Sequence, residues 1–176
     1  TNVDLAENNR LEARNVNVLG LSNIIKASSK KIKIIHISTD YVFDGSEAPY
    51  KESDLKKPVN YYGKTKLEAE NLLIGANLNF LIIRPNVLYT TDLTKSNFFS
   101  WVLSSLNNNN EIEIVSDQYS NPVFIPDLVK VIEDSILVDY SGICHFGSED
   151  SLSRYEFAIK IADTFKLDKK LIKSTT

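Results

Sequence analysis

The feature that most constrains this chain is an alternation of two periodicities. Short runs that are almost wholly apolar or β-branched, Lys33–Ser38 (KIIHIS) and Asn79–Arg84 (NFLIIR), alternate with longer segments whose apolar residues recur at helical spacing. A strand that is apolar on both sides has to be covered on both faces, and strands separated by helices pair in parallel. The pattern therefore predicts an α/β fold built on a parallel sheet. Helices are expected over Leu11–Ala27, Tyr61–Ala76, Asn97–Leu106, Asp127–Leu137 and Ser153–Phe165, with further strands at Glu111–Val115 and Ile143–Phe146. Asp127 reads as the cap of its helix, and Ser153 with Glu156 reads as a capping box. On the Tyr61–Ala76 helix, Glu68 and Glu70 are expected on the wet side and Leu67, Leu72 and Leu73 inward. Ligands of parallel sheets sit at the carboxyl ends of the strands, so chemistry is to be sought just after Ser38 and Arg84.

Composition removes several classes of function. A net charge of -3 without a Lys/Arg stripe argues against nucleic acid as a partner. No apolar run approaches the ~20 residues that cross a bilayer, so no membrane role is expected. Cys144 is the single cysteine and cannot form an internal disulfide, which fits a reducing cytoplasm. The chain starts at Thr1 and contains no methionine, and it is expected to be a piece of a longer protein.

Two short segments carry chemistry. Ser38-Thr39-Asp40-Tyr41-Val42-Phe43 follows a buried strand directly, and Tyr62-Gly63-Lys64-Thr65-Lys66 opens a helix. Tyr62 and Lys66 are four apart and share a helical face. Tyrosine can give a proton to a carbonyl oxygen, but its ordinary pKa of about 10 is high for exchange near neutrality. An ammonium one turn away is expected to lower it. A hydroxyl from another element, Thr39, can hold the same oxygen. Tyr61 is a weaker candidate because position 65 is threonine, so it has no lysine at the fourth position on. His36 reads as a packed or edge histidine. His145 and Cys144 offer too few ligands for a metal, so none is expected. Glu111, Glu113 and Asp117 read as a solvated face, Asp44-Gly45 as a turn, and Asp4 and Glu7 as either helix caps or ligand contacts.

The segments HISTDYVFDG, YYGKTKLEAE and LIIRPNVLY resemble, in order and spacing, the extended short-chain dehydrogenase/reductases. Within them the chain is most similar to the dTDP-4-dehydrorhamnose reductase branch, through Thr1-Asn2-Val3-Asp4 with Glu7, Ser38–Gly45, Asp117–Pro122 and Tyr155–Ala158. The resemblance implies a Rossmann-like, doubly wound parallel sheet with a small C-terminal substrate-binding lobe and without the N-terminal glycine-loop unit. Residues 1–85 would form the C-terminal half of the dinucleotide-binding domain with the catalytic triad. Residues 86–176 would form the lobe and return one strand and helix to the sheet.

It also implies roles: Thr39, Tyr62 and Lys66 catalytic; Tyr62, Lys66, Pro85, Ser38 and Asn17 toward a cofactor, NADPH or NADH; Thr39, Asp40, Phe43, Asn86 and Asn97 toward a nucleotide-sugar substrate. Homodimers are common in this family. The glycine-rich turn that cradles the pyrophosphate would lie ahead of Thr1, and with it the residue that selects between the two cofactors. Val87 stands where the rhamnose enzymes usually carry a tryptophan. The expected activity is reduction of a keto group on a nucleotide-activated deoxysugar. Nucleotide-sugar epimerisation or dehydration by the same triad is an alternative, weakened because Tyr41 rather than a second acid follows Asp40. A non-catalytic NADP-binding subunit, like the β subunit of methionine adenosyltransferase, is another.

Overall fold

The computed structural model describes residues 3–94 and 97–176. Thr1 and Asn2, the first half of the Thr1–Asp4 motif, lie outside the described residues. In chain order the elements are α1 (Val3–Asn8), α2 (Arg10–Arg14), a π-helical turn (Asn15–Leu19), α3 (Gly20–Ala27), β1 (Lys33–Ile37), a 3-10 turn (Asp40–Val42), α4 (Tyr61–Ile74), β2 (Asn79–Pro85), β3 (Leu88–Tyr89), α5 (Phe98–Asn107), β4 (Ile112–Val115), β5 (Tyr119–Ser120), β6 (Val123–Phe124), α6 (Ile125–Leu137), β7 (Gly142–Phe146), β8 (Leu152–Ser153), α7 (Arg154–Phe165), a 3-10 turn (Lys169–Leu171) and β9 (Ile172–Thr175).

The chain divides into two compact units, Thr1–Pro85 with Ile132–Phe146, and Asn86–Val131 with Gly147–Thr176. The first unit holds a parallel sheet in the order β1-β2-β7, with Ile37 opposite Ile83 and Ile83 opposite Cys144. Alternate residues of this sheet face opposite ways. Ile34 of β1 and Ile82 of β2 pack with Leu21 of α3 and Ala69 and Leu73 of α4 in one core cluster. Leu81 and Ile83, which alternate with Ile82, are also fully buried, so the central strand is covered on both faces. The second unit has its own core, in which Phe99, Val102 and Leu106 of α5 meet Phe157 and Ile161 of α7 and Ile112 and Ile172 of the parallel β4–β9 pair.

Three expectations need correction. The helix predicted over Leu11–Ala27 is interrupted by the π turn, and Leu11, Leu19 and Ile24 are exposed. A π turn shifts the helical phase, so a single 3.6-residue pattern cannot run through it. The buried positions are instead Ala13, Val18 and Leu21. Asp127 is not a cap: α6 begins at Ile125, and Asp127 lies in its first turn, where a carboxylate suits the helix dipole. Glu70 is fully buried while Leu72 is exposed, the reverse of the expected facing. The Ser153–Glu156 capping box is present as expected.

Gly63 sets how closely α4 approaches the segment after β1. A Cβ there would lie 2.2 Å from the Tyr41 carbonyl oxygen and 3.1 Å from Pro58 Cβ. At Gly20 the nearest atom would be an ordinary 3.7 Å away. Gly63→Ala is therefore expected to destabilise the protein by about 1–3 kcal/mol, whereas Gly20→Ala should stabilise it by about 0.5–1 kcal/mol. Urea unfolding of both variants checks this, and equal stability of Gly63→Ala and the parent would contradict the close packing.

Candidate active site

Three successive residues at the carboxyl end of β1 meet three residues of α4. Lys66 Nζ donates to the carbonyl of Ile37 at 2.5 Å. Ser38 Oγ donates to Glu70 Oε1. The side chains of Thr39 and Tyr62 share a hydrogen bond. The α4 residues are spaced four apart, so one helical face carries all of them. Local chemistry fixes where that face begins. Asn60 caps α4, its Oδ1 accepting from the Gly63 N–H at 2.7 Å. Glu7 Oε1 accepts from the Tyr61 N–H at 2.6 Å, so Glu7 serves the start of α4 rather than its own helix.

Thr39 has an extended backbone and caps the 3-10 turn, its Oγ1 accepting from the Tyr41 N–H at 3.2 Å. It donates to Asp40 Oδ1 at 3.1 Å. The Tyr41 ring meets the Tyr62 ring edge-on, with centroids 5.9 Å apart. Burial raises the pKa of the half-buried Tyr62; the Thr39 hydrogen bond opposes this, and the charge of Asp40 adds to it. The net shift is upward rather than the lowering expected from the sequence, because burial outweighs what favours the phenolate; the Lys66 ammonium donates to the Ile37 carbonyl. Tyr62 is thus a protonated donor at neutral pH. Lys66 itself is 9% exposed, and burial pushes its pKa down to about 8, opposed by the charge of Glu70.

Thr39, Asp40, Tyr62 and Lys66 come together. Ser38 lies beside them, but its hydroxyl is committed to Glu70. Pro85 ends β2 opposite Phe146 and is buried. Asn17 lies in the π turn, and its Nδ2 donates to Thr65 Oγ1 at 2.9 Å, bracing α4. Phe43 is packed rather than open: it stacks on Tyr50 with centroids 4.5 Å apart, meets His145 edge-on and lies under the Arg84 guanidinium. Asn86 and Asn97 belong to the second unit. There Asn86 Oδ1 accepts from the Val87 N–H at 2.7 Å, and Asn97 caps α5 with Ser100.

Sequence reasoning missed Glu70. It is fully buried and receives Arg84 through two bonds, Nη2 to Oε2 at 2.7 Å and Nε to Oε1 at 3.0 Å. Its place eight residues after Tyr62 and four after Lys66 was the signal. Arg84 Nη1 also donates to the Glu52 carbonyl at 3.2 Å and stands 3.2 Å from His145 Nε2. Guanidinium can only donate, so His145 Nε2 accepts and its Nδ1 carries the proton toward the Tyr50 carbonyl at 3.2 Å. His36 is half-buried with Nε2 unpartnered, and burial pushes its pKa to about 4, so it stays neutral. Among the described residues no helix is long and apolar enough to cross a membrane, and no cluster of three or more His, Cys, Asp or Glu side chains could hold a metal ion.

The RmlD substrate binding domain profile matches residues 1–176. The dTDP-4-dehydrorhamnose reductase of Aggregatibacter actinomycetemcomitans is 36% identical over 171 residues, 93% of this chain and 58% of that protein. Methionine adenosyltransferase 2 subunit beta of Bos taurus is 31% identical over 181 residues, 98% of this chain and 54% of that protein. The structure of dTDP-4-dehydrorhamnose reductase from Bacillus anthracis in complex with NADP superposes with a TM-score of 0.94 at 30% identity, covering 100% of this chain and 62% of that one. The reductase structure from Clostridium acetobutylicum gives 0.93 at 33% identity, with the same coverage. The chain thus spans less than two thirds of these relatives.

The buried ammonium has a measurable signature. Exposed lysines titrate near 10.4, whereas Lys66 should lose its proton as pH rises through about 8. Carbon-13 NMR of labelled lysines, with Lys66→Arg for assignment, checks this. A Lys66 midpoint above 10 would contradict the burial.

Proposed function

The chain belongs to the RmlD substrate-binding domain family, and we propose that it is the catalytic part of an NAD(P)H-dependent reductase acting on a keto group of a nucleotide-activated deoxysugar. The observation that carries this reading is the convergence of Thr39, Tyr62 and Lys66 at the carboxyl end of a parallel strand. The reductase relatives support it, one of them in complex with NADP. The donor set fits a nicotinamide ribose: a buried ammonium and a phenol beside a strand tip can meet hydroxyl groups. Bound NAD(P)H supplies the hydride.

The residues of the chain do the rest. Tyr62 is a phenol at neutral pH and stands as general acid. As the carbonyl carbon gains hydride, the π pair moves to oxygen and takes the Tyr62 proton, leaving an alcohol and a phenolate. Lys66, one turn away, carries positive charge to stabilise that phenolate once it forms, and solvent returns the proton. Thr39 turns its hydroxyl from Asp40 to the substrate oxygen and holds it beside the phenol. By stabilising the phenolate, Lys66 offsets part of the burial that raises the phenol's pKa and lowers the cost of giving up the proton.

Methionine adenosyltransferase 2 subunit beta matches 98% of the chain, against 93% for the Aggregatibacter reductase, and Val87 in the tryptophan position is compatible with that likeness. A second reading is therefore a cofactor-binding regulatory subunit. Co-purification with an adenosyltransferase in the absence of keto-sugar turnover would favour it. Under the leading reading, Tyr62→Phe in the full-length protein lowers kcat by about 10²–10⁴-fold and leaves the NADPH dissociation constant nearly unchanged. Steady-state kinetics with a panel of dTDP- and UDP-4-keto sugars, alongside fluorescence titration of NADPH, checks this. Retained turnover would remove Tyr62 from the reaction.

A further inference from the structure

Glu70 has no role assigned so far, yet it is fully buried and bonds to residues at the ends of two strands. Its carboxylate receives the Ser38 hydroxyl, one residue before Thr39, and both arms of Arg84, one residue before Pro85. It stands one turn beyond Lys66 on the face that carries Tyr62. Both members of the Glu70–Arg84 pair have side chains 1% exposed. A carboxylate so placed joins the tips of two adjacent strands to the helix that bears the proton donor.

We propose that Glu70 is a positioning residue for the Thr39–Tyr62–Lys66 centre: its carboxylate, one helical turn beyond Lys66, fixes the β1 and β2 strand tips against α4 and places a negative charge on the face that carries the ammonium. The inference rests on the reductase reading for its kinetic consequence but not for its geometry. A passive structural brace would hold the strands and leave the charge of Lys66 alone. The counter-charge role makes a separate demand, because burial works against the ammonium and Glu70 is the group that opposes burial. The other groups around Lys66 do not replace it. His36, on β1, is neutral at working pH and would repel Lys66 if charged. Arg84, on β2, is a cation held by Glu70 itself. Tyr62 is a neutral phenol, and Asp40 and the ring of Tyr41 lie on its side of the site.

The test is the pH dependence of kcat/KM for NADPH oxidation by the full-length protein carrying Glu70→Gln. Because that change strands a buried guanidinium, the double variant E70Q/R84M, in which both charges are removed together, provides a folded counterpart. Loss of the counter-charge should move the alkaline limb to lower pH in both variants, and E70D, which keeps the charge, should restore it. An unmoved limb in folded E70Q/R84M overturns the proposal while leaving the reductase reading intact. If the parent reduces no keto sugar, that reading fails by itself, and the carbon-13 titration of Lys66 decides. A midpoint lowered by E70Q/R84M upholds the counter-charge role, and an unchanged midpoint overturns it.

Discussion

The docking of α4 on the strand ends rests on Glu70, which accepts from Ser38 just after β1 and forms an ion pair with Arg84 of β2, each side chain of that pair 1% exposed. A buried ion pair is a poor source of net stability, because desolvation offsets most of the attraction. Its effect is on geometry. Removing one partner of such a pair costs roughly 3–5 kcal/mol, so arrangements that separate Glu70 from Arg84 are strongly disfavoured. Moving α4 by one residue along the sheet would carry Glu70 away from both Arg84 and Ser38 and Lys66 away from the Ile37 carbonyl. Gly63 lets the helix come close enough for those contacts, and Asn60 and Glu7 fix its first turn. Thr39 and Tyr62 then meet because their neighbours leave little choice.

That arrangement sets the electrostatics. Tyr62 is held protonated by burial and by Asp40, while Lys66 sits near the middle of its titration in mildly alkaline solution. A general acid has to keep its proton until the substrate oxygen needs it. In the proposed reading the buried phenol keeps its proton at neutral pH, and the nearby ammonium stabilises the phenolate that proton transfer leaves.

Much of this was legible in the sequence because local signals and tertiary demands agree. KIIHIS and NFLIIR became neighbouring parallel strands, and the Tyr62–Lys66 spacing put both groups on one face. Ser153 and Glu156 capped their helix as expected. The failures have particular causes. The π turn at Asn15–Leu19 breaks the phase on which the first helix was read. Glu70 was placed in water because a carboxylate usually belongs there; only its distant partner Arg84 makes burial tolerable, and no local pattern reveals a partner fourteen residues on. The two-residue strands β3, β5, β6 and β8 have no periodicity to read. Asn97 and Phe43 show the opposite limit: each falls at an expected site position, yet the first caps a helix and the second lies in an aromatic stack.

The central proposal is that this centre delivers a proton to a ketone oxygen as hydride passes irreversibly from the cofactor to the carbonyl carbon. The most direct measurement is transfer of label from deuterated NADPH to a dTDP-4-keto-deoxysugar by the full-length protein, followed by mass spectrometry and proton NMR. The account predicts one deuterium at the new carbinol carbon for each NADPH oxidised. Turnover with cofactor regenerated and no net oxidation, or label absent from that carbon, would contradict it.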